Sequence, residues 1–250
     1  MSTEWDEVKY EVAVANRVLA ELGLATGFRA SLGHASMRVP SDPERFIVKG
    51  RGYEVDVLSA MTPEQMVVCD SEGAKVDGPP GSRPCGEVKM HSCVYKTHPE
   101  VQSVVHVHPY FTVLATVLLK NIVPMSQEGM HLVREPLPVW PHAKTIQSDA
   151  DGMAVAALLG DHKAVLLKGH GATTVGGSLQ EAVMNMIRLE EKAKMNYYAY
   201  SAAGPDHPQI EDELVGETSY PPPLRHGGVW QYYTRLVSAT LTDGVETGRE

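Results

Sequence analysis

Positive charge is scarce in this sequence: 22 Lys and Arg stand against 31 Asp and Glu, a net charge of −9 at neutral pH. So acidic a chain has no global electrostatic reason to seek a nucleic acid or an anionic lipid surface, both of which attract cations. Long apolar runs are missing too. No window approaches the roughly 18 uninterrupted apolar residues of a membrane-spanning helix, and Met1-Ser2-Thr3-Glu4-Trp5-Asp6 has neither a basic cap nor an apolar signal core. The expectation is a soluble cytoplasmic protein. Cysteine is limited to Cys69, Cys85 and Cys93, without CxxC or zinc-knuckle spacing, so reduced, partly buried thiols with no chemical role are expected. Internal repeats and low-complexity tracts are absent as well.

The rest of the composition is close to the globular average, and the length suits one large domain. Residues 1–250 read as a single domain. Five prolines between Gly204 and Gly228 make 204–250 read as a Pro-rich C-terminal loop and tail. Upstream, Val8, Val12, Ala15, Leu19 and Leu22 recur three or four apart, which predicts an amphipathic helix ended by Gly23. Short apolar runs at Arg45–Val48 and Met66–Asp70 read as strands, and so do the β-branched run Val101–His108 and the run Ala164–Lys168. Helical patterns cover Gly86–Thr97, Tyr110–Leu119, Ser148–Leu159 and Ser178–Tyr200. Alternating strands and helices predict an α/β architecture.

Four residues in this layout carry chemistry. His106 and His108 stand two apart on a strand, so both imidazoles point to one face, as two ligands of one metal would or as two satisfied core histidines could. His170 lies in Lys168-Gly169-His170-Gly171, where glycines allow close backbone approach. Glu87 opens a helix, where the dipole favours an ionised carboxylate, whether or not that carboxylate serves more than its own helix. Three imidazoles and one carboxylate suit Zn²⁺, Mn²⁺ or Fe²⁺.

Glu87, His106-x-His108 and Lys-Gly-His170-Gly, in that order, resemble the metal site of the class II aldolase/adducin family. Gly33-His34-Ala35-Ser36-Met37-Arg38, Met61-Thr62-Pro63-Glu64 through Gly73, and His98-Pro99-Glu100-Val101 resemble further family segments, so the likeness spans roughly residues 5 to 200. The resemblance implies a three-layer α/β/α sandwich with a largely antiparallel central sheet, and a homotetramer with active sites at subunit interfaces. It further implies one divalent metal ion per subunit held by His106, His108 and His170, with Glu87 as fourth ligand, acid/base group, or both.

The sequence departs from the sugar-phosphate members of that family. His34 replaces an Asn, Lys49-Gly50-Arg51-Gly52 stands in place of a small-residue loop, and Cys85-Gly86 precedes Glu87. Small hydroxyl residues and free amides suit a phosphate, whereas an Arg in a Gly-flanked loop suits a planar carboxylate. These segments look most like the decarboxylase branch, which acts on substrates such as 3-hydroxy-2-methylpyridine-4,5-dicarboxylate. The expected activity is non-oxidative decarboxylation of an ortho-hydroxylated aromatic or pyridine carboxylate. Glu87 and His34 are the expected catalytic groups, with Ser36, Arg38, Lys49 and Arg51 on the substrate. A sugar-phosphate aldolase or 4-epimerase, a non-haem iron oxygenase and a non-enzymatic interaction module are the alternatives. Residues 29–51 hold five basic residues against two acids, which fits a small anionic substrate and predicts no nucleic-acid or membrane partner.

Overall fold

The computed structural model of the protein describes residues 3–118, 121–217 and 227–243. The first helix, α1 (Glu4–Glu21), forms where the periodic apolar residues predict it. A capping box starts it: the Thr3 hydroxyl accepts from the Asp6 amide, and the Asp6 carboxylate accepts from the Thr3 amide.

Nine strands follow: β1 (Gly33–Val39), β2 (Asp42–Arg51), β3 (Met66–Asp70), β4 (Lys75–Asp77), β5 (Arg83–Pro84), β6 (Ser103–Val107), β7 (Val139–Trp140), β8 (Ala164–Leu167) and β9 (Gly171–Gly176). They form one sheet in the order β4-β3-β2-β1-β6-β9-β8-β7, with β5 on β2. Every pairing is antiparallel except β7 with β8. Among the helices are α2 (Val88–Thr97), α3 (Tyr110–Leu118), α4 (Asp149–Leu159) and α5 (Leu179–Ala203). Helices α1 and α5 cover one face of the sheet over Ala35, Ile47, Val105 and Val107. Helices α2 and α4 cover the other over Phe46, Val48, Val104 and Val165. The alternation of Ile47 with Val48 and of Val104 with Val105 between the two cores is the two-residue period of a strand, and the result is the expected three-layer sandwich.

Three departures from the sequence reading stand out. Strand β1 lies in the Gly-punctuated stretch that carries the Gly33–Arg38 motif, and β9 follows His170 directly. Both hide their strand character because their inward residues are polar, His34 and Ser36 in β1 and Thr173 in β9. The third departure corrects the C-terminal loop and tail: α6 (Asp212–Glu217) and α7 (Gly227–Asp243) stand there. Proline bars a helix across itself but not beyond itself, and Trp230, Tyr233, Val237 and Leu241 repeat at helical spacing to pack on the α1 side. Tyr10 Oη lies 2.9 Å from Ser238 Oγ, and Arg17 Nη1 donates to Thr240 at 2.6 Å.

Candidate active site

Register places the site. In the sheet His34 of β1 stands opposite His106 of β6, and His106 stands opposite Thr173 of β9. Three polar side chains therefore share one face, beneath the start of α2. Glu87 is the N-cap residue of α2, but its carboxylate does not cap the helix. One oxygen, Oε1, accepts the Ile146 amide at 2.8 Å. The other, Oε2, lies 3.4 Å from His106 Nε2, 3.5 Å from His170 Nε2 and 3.9 Å from His34 Nε2. His108, one residue past β6, turns its Nε2 to within 3.0 Å of His106 Nε2.

His170 reaches this point because the chain between β8 and β9 turns on Gly169, whose φ of +63° favours glycine. The next glycine, Gly171, lies so close to its neighbours that an added Cβ would stand 3.1 Å from His108 and 3.2 Å from His106 ring carbons. The sequence reading of these flanking glycines holds.

The donor set fits a divalent metal. One ligand atom from each of Glu87, His106, His108 and His170 lies within 4.8 Å of the others, and the spacings of 3.0, 3.4 and 3.5 Å among them bracket the about 3.3 Å that tetrahedral Zn–N and Zn–O bonds of about 2.0–2.1 Å demand. Among the described residues neither buried ring nitrogen of His170 has a hydrogen-bond partner, a state that buried polar atoms rarely tolerate. The protonation of His106 points the same way. A thioether only accepts, so the Thr173 hydroxyl donates to Met90 Sδ, and the Thr173 oxygen accepts from His106 Nδ1–H at 3.2 Å. With its other nitrogen so engaged, His106 can offer Nε2 to an ion; without one, that nitrogen faces the Glu87 carboxylate at 3.4 Å.

Burial opposes the charge on Glu87, yet the facing imidazoles of His106, His170 and His34 hold its carboxyl well below the usual carboxylate range. Burial, reinforced by His106 and His170, pushes His108 down to about 2. His34 is pushed down to about 4, chiefly by burial against the opposing pull of Glu87. His34 is therefore neutral near pH 7.

The four expected substrate residues separate. Arg51 lies over the helix start, its Nη1 3.4 Å from where a Cβ on Gly86 would stand, and among the described residues nothing pairs with it. Arg38 is a correction: it stands four residues along β1 from His34, about 13 Å away, and its guanidinium donates to the carbonyls of Val101, Pro43 and Tyr95. Ser36 is another, fully buried with its hydroxyl between His91 and Tyr95. Lys49 pairs with Asp56 and is not free for a ligand. The strand reading gives no sign of Thr173, Ile146 or Arg29, whose Nη1 donates to the His108 carbonyl at 3.2 Å. All three cysteines are free and buried as expected.

Residues 10–197 match the model of the class II aldolase and adducin N-terminal domain. The chain belongs to that family. A 3,4-dihydroxyphthalate decarboxylase of Terrabacter sp. (strain DBF63) is 32% identical over 229 residues, covering 88% of this chain and 93% of the relative. The fold matches an aldolase II superfamily protein from Pseudomonas syringae with a TM-score of 0.82 at 21% identity, over 97% of this chain and 96% of that one. It also matches L-fuculose 1-phosphate aldolase from Glaciozyma antarctica PI12, with a TM-score of 0.79 at 22% identity over 97% and 94%. These findings support an enzyme of the class II aldolase type, a lyase or decarboxylase.

Proposed function

We propose that the protein is a divalent-metal-dependent decarboxylase of an aromatic or pyridine dicarboxylate bearing a hydroxyl ortho to the departing carboxylate. The observation that carries this is the Arg51 guanidinium, without a partner among the described residues, beside Gly86, the residue before Glu87. A planar guanidinium takes a carboxylate through two parallel hydrogen bonds, so Arg51 holds the carboxylate that the product keeps. His106, His108, His170 and Glu87 hold the ion, which supplies positive charge beside the ring as electrons move into it.

The bond that breaks joins the ring carbon to the departing carboxylate. Its electron pair stays on the ring carbon, CO₂ leaves, and that carbon takes up a proton. Glu87, as a carboxylate, is the base that takes the ring hydroxyl proton and passes it to the carbon, and the ring oxygen regains a proton from water as the product leaves, the one proton that decarboxylation consumes. His34 contributes a hydrogen bond from Nε2. Assembly as a homotetramer with sites at subunit interfaces is part of the same proposal.

The test supplies the purified protein with Mn²⁺, Zn²⁺ or Fe²⁺, without oxygen, and offers 3,4-dihydroxyphthalate, 3-hydroxy-2-methylpyridine-4,5-dicarboxylate and fuculose-1-phosphate. Release of CO₂ from a dicarboxylate, abolished by a chelator and restored by metal, is expected. Cleavage of the sugar phosphate alone, or turnover that needs oxygen, would overturn it.

A further inference from the structure

Behind His34 lies a line of buried side chains that the reaction above does not use. His91, from the middle of α2, is fully buried. Its Nε2 is 2.6 Å from His34 Nδ1, and its Nδ1 is 2.6 Å from Ser36 Oγ. Ser36 Oγ is in turn 2.7 Å from the Tyr95 hydroxyl, one helical turn along α2. Arg38 fixes the far end, with its guanidinium carbon 4.5 Å from the centre of the Tyr95 ring. The line Tyr95–Ser36–His91–His34 is thus unbroken and ends at the nitrogen facing Glu87.

Such a line admits two polarities, because each shared hydrogen sets the next. Burial pushes the Tyr95 phenol well above its ordinary range, so it keeps its hydrogen. Ser36 Oγ is the side-chain acceptor within reach of that hydrogen among the described residues. The opposite polarity strands it, and an unmet buried donor costs about 1–3 kcal/mol. Tyr95 therefore donates to Ser36, and Ser36 donates to His91 Nδ1. His91 then carries its hydrogen on Nε2 and gives it to His34 Nδ1. His34 is left with its hydrogen on Nε2, aimed into the site.

We infer that Tyr95, Ser36 and His91 lock His34 in its Nε2–H tautomer, so that the substrate atom meeting His34 must be a hydrogen-bond acceptor such as a carboxylate oxygen. His91 and Tyr95 are positioning residues that touch no substrate. The tautomer stands on the hydrogen-bond line alone, and its use on a carboxylate rests on the decarboxylase reading.

The experiment is ¹⁵N NMR of the full chain labelled at histidine, with the His34 signals assigned through His34→Gln. The wild type is expected to show His34 protonated at Nε2 and bare at Nδ1; protonation at Nδ1 overturns the inference whatever the enzyme does. His91→Gln keeps one donor and one acceptor, so the His34 pattern and KM are expected to persist. His91→Leu and Tyr95→Phe remove the lock, so mixed tautomers and a KM for the dicarboxylate raised roughly tenfold are expected. A folded His91→Leu or Tyr95→Phe with the wild-type pattern also overturns it. An Nε2–H signal in a protein that releases no CO₂ keeps the lock and removes the decarboxylase reading instead.

Discussion

At the residue scale, Arg38 and Arg51 separate binding from support. Arg51 stands beside Gly86 with no partner among the described residues, while Arg38 holds four backbone carbonyls. Replacing Arg51 by Ala is expected to raise KM for a dicarboxylate by about 10- to 100-fold, the worth of a charge-assisted hydrogen-bond pair, with the chemical transition in urea unmoved. Replacing Arg38 by Ala reverses the pattern: stability falls by roughly 3 kcal/mol as buried carbonyls lose their donor, read as a shift of the urea midpoint, and KM changes little. The sequence could not separate them, because both are an Arg near glycines and only the register along β1 tells which one reaches the site. His34 adds a pH dependence. Its value drops from an ordinary 6.5 to about 4 in the fold, so between these limits the unfolded chain binds a proton that the native chain refuses. Stability of the metal-free protein is therefore expected to fall as pH drops from about 6.5 to about 4, by on the order of 3 kcal/mol from this residue. His34→Gln, followed by urea titration at several pH values, flattens that part of the profile; an unchanged slope would show that other groups set it.

At the element scale, the site was legible where a strand announces itself by β-branched residues and opaque where it does not. Val104, Val105 and Val107 mark β6, and with it His106 and His108. Strands β1 and β9 carry His34, Ser36 and Thr173 inward, and a polar inward face reads as loop. His91 could be placed on the same helix face as Val88 and Tyr95, but its partners on β1 come from tertiary register and not from spacing. Another element-level link is Glu190 of α5, whose carboxylate accepts the Phe111 and Thr112 amides at 2.9 and 2.8 Å and so caps α3, two residues after His108. Glu190→Ala is expected to cost about 1–2 kcal/mol, as loss of a helix cap does, and to weaken metal retention through His108. Differential scanning calorimetry and metal content after dialysis check both; a lower melting temperature with full metal retention would mean that α3 and the ligand strand are not coupled.

At the scale of the whole molecule, the net charge of −9 and the basic stretch at 29–51 have different fates. Lys49 is paired with Asp56, Arg38 faces carbonyls, Arg45 donates to the Glu44 carbonyl and Arg29 braces His108, so among the described residues that stretch leaves the Arg51 guanidinium, beside Gly86, unpartnered. Around the same mouth the protein exposes apolar surface: Phe28 is 98% exposed, and Tyr110, under the Arg29 guanidinium, is 59% exposed. Val117 and Leu118 extend it along α3. Apolar surface gathered beside a site is what an oligomer interface covers, and the proposed tetramer would cover it with a second copy of the chain. Light scattering of the wild type is expected to give a tetramer. Phe28→Glu places a charge in that contact, and it is expected to dissociate the assembly and lower kcat/KM at least tenfold, while the metal ligands, all on this chain, keep their ion. A wild type that is monomeric and fully active would remove the interface from the mechanism and leave Phe28 as a rim residue of a site complete in one subunit.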